Sequence, residues 1–154
     1  MTERSVTHAT FVLERRYGAS PARVFAAWAD QQQKSQWFGG GGEGDYQMDF
    51  RVGGRESNSG KIDDGPTYAY DALYQDIVDD ERIVYTYDMH LDGERISVSV
   101  CTVEFSPEGD DTRLVYTEQG AFLDGLDDPN LRQNGTGSML DTLGKLLEGE
   151  RAEV

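Results

Sequence analysis

Arg82-Ile83-Val84-Tyr85-Thr86-Tyr87-Asp88-Met89-His90 alternates apolar and polar side chains without a break, placing Ile83, Tyr85, Tyr87 and Met89 on one face. A period of two over that length reads as a half-buried β-strand, because successive Cβ atoms point to opposite faces of the pleat. Asp79-Asp80 precedes the strand and Asp92-Gly93 follows it, and both are hairpin-length turn signals. Working outward, residues 68–77 form the preceding strand, and residues 96–105 and 113–122 form a last hairpin joined through Pro107 and Gly109. Upstream, residues 45–51 alternate with Tyr46, Met48 and Phe50 on one side, and Gly53-Gly54 turns the chain. Residues 55–62 are polar and read as an edge strand, closed by the turn Asp63-Asp64-Gly65-Pro66. Strands joined only by short turns must pair antiparallel.

The two ends of the chain supply helices. Residues 10–17 are rich in strand formers and read as a first strand. Ser20-Pro21 is a helix start, a serine cap followed by proline at the first helical position, with Val24, Phe25 and Trp28 as its apolar stripe. Asp30 caps a second short helix ending near Trp37-Phe38, where the glycines at 39–42 stop it. A long helix opens at Asp128-Pro129 and is expected to stop at Gly149, with Leu140, Leu143 and Leu147 as its stripe, widened by Met139 and Leu146. Gly135 and Gly137 lie inside it, so either a neighbour approaches the backbone there or the helix starts late, near Thr136. The sum is an α+β domain of 154 residues: a curved antiparallel sheet around a long C-terminal helix, with two short helices after the first strand.

Composition narrows the function. Lys and Arg number 14 against 29 Asp and Glu, a formal charge of −15. That balance repels phosphate backbones and anionic membranes, so neither nucleic acid nor a membrane is expected as a partner. One cysteine, Cys101, allows neither an internal disulfide nor a thiolate zinc cluster. No apolar leader and no spanning apolar run are visible, so a cytoplasmic setting is expected. His8, in a terminus expected to fray, and His90 are the only histidines, so no metal site is expected. Residues 39–44 contain G-x-G-x-x-G, but it follows a helix and enters a strand, the reverse of a dinucleotide loop. No cofactor is therefore expected, and the glycine segment reads either as a gate beside Trp37 and Phe38 or as a plain loop.

Several stretches, taken in order, resemble one known group. Ser20-Pro21-Ala22-Arg23-Val24-Phe25-Ala26-Ala27-Trp28 resembles a first helix, Trp37-Phe38-Gly39-Gly40 a tryptophan–glycine turn, and Asp49-Phe50-Arg51-Val52-Gly53-Gly54 a D-x-R-x-G-G hairpin. Glu81-Arg82-Ile83-Val84-Tyr85-Thr86, Thr112-Arg113-Leu114, Thr117-Glu118-Gln119-Gly120-Ala121-Phe122 and Leu140-Asp141-Thr142-Leu143 continue the match. The chain resembles the SRPBCC superfamily of helix-grip proteins, in the group similar to the C-terminal domain of the activator of heat-shock-protein-90 ATPase. The resemblance implies a cavity between sheet and long helix, and functions ranging from ligand binding to cyclisation and co-chaperone work. Where that pattern has a tryptophan in the last helix, this chain has Thr136, one turn before Leu140 on the same face, which leaves space under the sheet.

The strand at 96–105 carries the cavity argument. Ser97, Ser99, Cys101, Val103 and Phe105 share one face, and Ile96, Val98, Val100 and Thr102 the other. If Val103 and Phe105 face the helix, the small side chains do too and leave a void; the reversed reading puts Ser97 and Ser99 in water. The first reading leaves Ile96, Val98 and Val100 as an outer apolar stripe suited to a homodimer. Glu118 shares its strand face with Leu114, Tyr116 and Phe122, so it reads either as an inward acid–base or anchoring group or as a strand-end carboxylate paired with Arg51, Arg82 or water. The predicted lining runs from Trp28, Trp37 and Phe38 through Met48, Phe50, Tyr85 and Tyr87. It continues through Ser99, Cys101, Tyr116 and Glu118 to Thr136, Met139, Leu140 and Leu143 on the helix. The expected function is non-enzymatic binding of a small apolar molecule. The alternatives are a chaperone-partner domain, resting on the resemblance, and a cyclase or hydrolase using Glu118 with a tyrosine.

Overall fold

A computed structural model of the chain describes residues 4–38, 45–61 and 64–152, with side chains to residue 149. Seven strands form one antiparallel sheet: β1 (Val6–Tyr17), β2 (Asp45–Met48), β3 (Arg55–Lys61), β4 (Thr67–Val78), β5 (Arg82–Leu91), β6 (Glu94–Glu108) and β7 (Asp111–Leu123). Their order is β1-β7-β6-β5-β4-β3-β2, so every neighbouring pair except β1–β7 is consecutive in the chain. Two short helices, α1 (Pro21–Ala29) and α2 (Gln31–Lys34), follow β1, and α3 (Pro129–Ala152) closes the chain. This is the helix-grip architecture expected from the sequence.

The local reasons are those the sequence carries. The Ser20 side chain accepts the Arg23 N–H and Pro21 opens α1; Asp30 likewise accepts the Gln32 N–H at the start of α2. A Cβ at Gly54 would lie 2.1 Å from the Asp49 carbonyl oxygen, so only glycine passes there. Gly53 takes φ +85° beside it and donates its N–H to the Tyr74 carbonyl at 2.8 Å. The core runs between the concave sheet face, α1 and the Leu140–Leu143–Leu147 stripe of α3. Tyr17 ties the helix to β1 by donating to the Leu140 carbonyl at 2.8 Å.

Several expectations are corrected. The polar strand β3 is not an edge: it lies between β2 and β4, and its inward positions carry Glu56 and Asn58, both buried. β1 begins at Val6, so His8 is a paired strand residue opposite Ala121 rather than part of a frayed end. α2 ends at Lys34, three residues before Trp37, and α3 runs through Gly149 instead of stopping at it. No neighbour presses on Gly149, so its cost is the intrinsic cost of a helical glycine. α3 does start at Pro129; a Cβ on Gly137 would meet the Arg15 guanidinium at 3.2 Å, whereas Gly135 faces open space. Ile96 is buried rather than outward, because β5 and β6 shift register between Met89 and His90 and Ile96 has no partner in the ladder. The proposed gate at 39–44, and Ile62 and Asp63 of the predicted edge strand and turn, lie outside the described residues.

Candidate functional site

The concave face of the sheet carries two buried polar clusters, and a cavity lies beside them. On β7, Glu118 is fully buried, and its register opposite Cys101 places it within reach of three hydroxyls. Tyr87 and Ser99 donate to its Oε2 at 2.6 and 2.8 Å, and Tyr116 donates to Oε1 at 2.7 Å. Arg132, in the first turn of α3, donates to the Tyr87 hydroxyl and to Ser97 Oγ at 2.8 Å each and lies 3.5 Å from Glu118 Oε2. Its other salt-bridge partner is Asp127 at 2.5 Å. Burial works against the Arg132 charge, but Tyr87, Glu118 and Asp127 outweigh it and hold the guanidinium protonated more firmly than usual. Burial, with Glu118 as the next cause, pushes the Tyr87 hydroxyl and the Cys101 thiol well above their ordinary values. Cys101 is therefore held as a thiol, 3.1 Å from the Tyr116 hydroxyl.

The second cluster joins α2 to β3. Lys34 Nζ lies 2.7 Å from Glu56 Oε1, Tyr46 donates to Oε2 at 2.6 Å, and the Tyr74 hydroxyl closes on Oε1. The Lys34 ammonium also sits 4.6 Å from the Phe38 ring centroid, 5.2 Å from that of Trp28 and 5.6 Å from that of Tyr85.

Between these clusters and α3 is a cavity of about 200 Å³. Asn58, Tyr70 and Met89 form one cross-strand row of its wall; Phe38, Tyr68, Tyr85, Tyr87 and Tyr116 add rings, and Arg132, Thr136 and Met139 supply the helix side. Tyr70 is 6% exposed, and its hydroxyl has no hydrogen-bond partner among the described residues.

Of the sequence-predicted lining, Phe38, Tyr85, Tyr87, Tyr116, Thr136 and Met139 reach this cavity. Ser99 and Cys101 do face inward but do not line this cavity: Ser99 is bonded to the Glu118 carboxylate, and Cys101 meets the Tyr116 hydroxyl. Glu118 itself sits behind those hydroxyls, and its partners are not Arg51 or Arg82, which pair with Asp49 and Asp76. Trp28 and Trp37 pack on each other at 4.7 Å, and Phe50 packs on Phe25 and Tyr74 at 5.8 and 4.9 Å. Met48 lies 3.8 Å from the Tyr46 hydroxyl, and Leu140 and Leu143 fill the core under α3.

Sequence reasoning missed Asn58, Tyr68, Tyr70, Met89 and Arg132 at the cavity, and the Lys34–Glu56 pair. Arg132 was findable, because it stands four residues before Thr136 and starts the same stripe. On the outer sheet face Val98 and Val100 are exposed as expected. His90 also comes together there with Asp71 and Asp88, their ligating atoms within 4.8 Å of one another, although Arg95 pairs with Asp88 at 3.0 Å. Among the described residues no helix is long and apolar enough to cross a membrane.

Comparison with known proteins agrees with this architecture. The family model for Activator of Hsp90 ATPase homolog 1-like protein matches residues 18–148. An uncharacterised protein from Rhizobium leguminosarum is 49% identical, with a TM-score of 0.91 over 96% of this chain and 99% of that one. The Mll3558 protein from Rhizobium loti is 46% identical, with a TM-score of 0.87 over 92% and 98%. The CV1439 protein from Chromobacterium violaceum is 26% identical, with a TM-score of 0.75 over 90% and 96%. No curated protein matches the sequence.

Proposed function

The chain belongs to the Activator of Hsp90 ATPase homolog 1-like family, and we propose that it uses this fold to bind a small hydrophobic ligand between sheet and helix without transforming it. The observation that carries the reading is the cavity of about 200 Å³ walled by aromatic and methionine side chains. Ligand sites are concave and mostly apolar, with a few polar groups that fix orientation. Binding rather than catalysis is supported by the state of the reactive groups. The Glu118 carboxylate is occupied by three hydroxyl donors, and the Cys101 thiol is buried and pushed away from ionisation. The single, buried cysteine suits a reducing cytoplasm, where we place the protein.

Native mass spectrometry of the purified protein, before and after incubation with a set of small neutral aromatics, tests the reading. One non-covalent adduct per chain, lost on denaturation, is expected; a bare chain under every condition contradicts it. The same spectrum tests a subsidiary proposal, self-association through the outer face where Val98 and Val100 are exposed. A dimer mass supports that proposal, and a monomer at micromolar concentration ends it.

A further inference from the structure

The outer face of the sheet brings together three metal-ligating side chains that the cavity does not use. Along β4 and β5 the inward residues Tyr70, Tyr87 and Met89 wall the cavity, so Asp71, Asp88 and His90, which alternate with them, point to the opposite face. Asp71 and Asp88 stand directly opposite each other in the ladder, and His90 is two residues along from Asp88. One ligating atom from each lies within 4.8 Å of the other two. Two histidines in the whole chain argue against a metal site, but here cross-strand pairing brings two carboxylates to one of them.

The imidazole separates this group from a plain acidic patch, and the surroundings leave its donors open. Like charges directly opposite each other on a sheet repel. Arg95 relieves only part of that repulsion: its Nε and Nη2 each lie 3.0 Å from Asp88, and both reach the same oxygen, Oδ2. Asp71 and His90 have no side-chain hydrogen bond or ion pair among the described residues. Opposite His90 on β4 stands Ala69, whose methyl keeps the fourth corner of the square clear of a bulky side chain. The β5–β6 ladder also shifts register between Met89 and His90, an irregularity of the kind that re-aims side chains and recurs beside functional sites.

Ligand chemistry selects the ion. Mg²⁺ and Ca²⁺ take oxygen ligands, whereas an imidazole beside carboxylates suits Zn²⁺ and its first-row neighbours. Zn²⁺ holds nitrogen and oxygen donors at about 2.0–2.2 Å, which sets tetrahedral donors about 3.4 Å apart. Donors already within 4.8 Å of one another reach that spacing by side-chain rotation, with the strands in place. We propose that Asp71, Asp88 and His90 form a binding site for a divalent transition-metal ion, represented by Zn²⁺, with water completing the coordination. The ion cross-links β4 to β5 behind the cavity wall, and Arg95 competes with it for Asp88. The site stands independently of what the cavity binds.

Calorimetric titration of the untagged full chain with Zn²⁺ tests the proposal. One ion per chain is expected, with a melting temperature that rises with Zn²⁺ concentration, because an ion that binds only the folded chain stabilises it. His90→Gln and Asp71→Asn, each shown to be folded by circular dichroism, should weaken binding at least tenfold, since residues that merely orient a metal ligand commonly cost that much. Arg95→Gln should tighten binding by freeing Asp88. His8→Gln, on β1 and three strands away from β5, should leave it unchanged. No Zn²⁺ binding up to millimolar concentration would overturn the proposal, as would binding that is lost with His8 instead of His90. Zn²⁺ binding that survives His90→Gln, or Mg²⁺ bound as tightly as Zn²⁺, would also overturn it, because either shows only diffuse attraction to a chain of formal charge −15.

Discussion

Lys34 and Glu56, 22 residues apart, meet at 2.7 Å with side chains only 1% and 0% exposed. The pair fixes α2 to β3, and therefore positions Phe38, four residues after Lys34, in the cavity wall. Two charges leave water together, and Tyr46 and Tyr74 supply the remaining hydrogen bonds to the carboxylate. Removing one partner strands the other in the aromatic core. Lys34→Met should lower the unfolding free energy by about 3–5 kcal/mol, read by urea denaturation. The double variant Lys34→Met/Glu56→Gln should recover part of that loss, because no uncompensated charge remains.

Much of the fold was legible because the chain states it locally. The alternation of Ile83, Tyr85 and Tyr87, the Ser20-Pro21 cap and the Leu140–Leu143–Leu147 stripe each have one consistent reading. β3 was misread because its inward positions carry Glu56 and Asn58, which in isolation look like solvent-facing residues. Lys34, in a run of glutamines, looks equally wet. Its partner is brought to it only by the packing of α2 on the sheet, which no local pattern encodes. The same holds for Ser99 and Cys101: their small size was legible, but their use as neighbours of Glu118 and Tyr116 depends on the β6–β7 register.

Arg132 stands between Glu118 and Asp127 and is only 11% exposed at its side chain. Arg132→Met should cost about 3 kcal/mol, because Glu118 loses its buried counter-charge while its three hydroxyl donors remain. Chemical denaturation reads this directly, and a change below about 0.5 kcal/mol would contradict the account.

Gly120 pairs with Ser99 across β6 and β7, and a Cβ there would lie 2.8 Å from Ser99 Oγ and 2.9 Å from the Phe122 ring. Ser99 is held by Glu118, and Phe122 is buried, so neither yields freely. Gly120→Ala should therefore destabilise by about 1–3 kcal/mol. A melting temperature equal to or above that of the wild type would show that the strand pair accommodates the methyl.

Seven tyrosines, Tyr17, Tyr46, Tyr70, Tyr74, Tyr85, Tyr87 and Tyr116, have hydroxyls raised above the ordinary value of 10, with burial the largest cause in each. A raised folded value means that the unfolded chain releases its protons first. The stabilisation is fully present below about pH 10 and is lost as pH rises above it, each group contributing up to about 1.4 kcal/mol per pH unit. Phenolate absorbance should therefore appear together with loss of far-ultraviolet ellipticity in one cooperative alkaline transition. Ionisation of these groups near pH 10 with ellipticity intact would contradict the buried cluster.

Thr136 is the position at which side-chain size decides whether the cavity exists. It is 6% exposed and lines the cavity from α3. The most direct test of the account is the calorimetric affinity of 2-methylnaphthalene for the wild type and for Thr136→Trp, with circular dichroism confirming that the variant is folded. The account predicts binding by the wild type and at least a tenfold loss in the folded variant, whose indole fills the space. A folded Thr136→Trp that binds as tightly as the wild type would place the ligand elsewhere and contradict the claim that this cavity is the binding site.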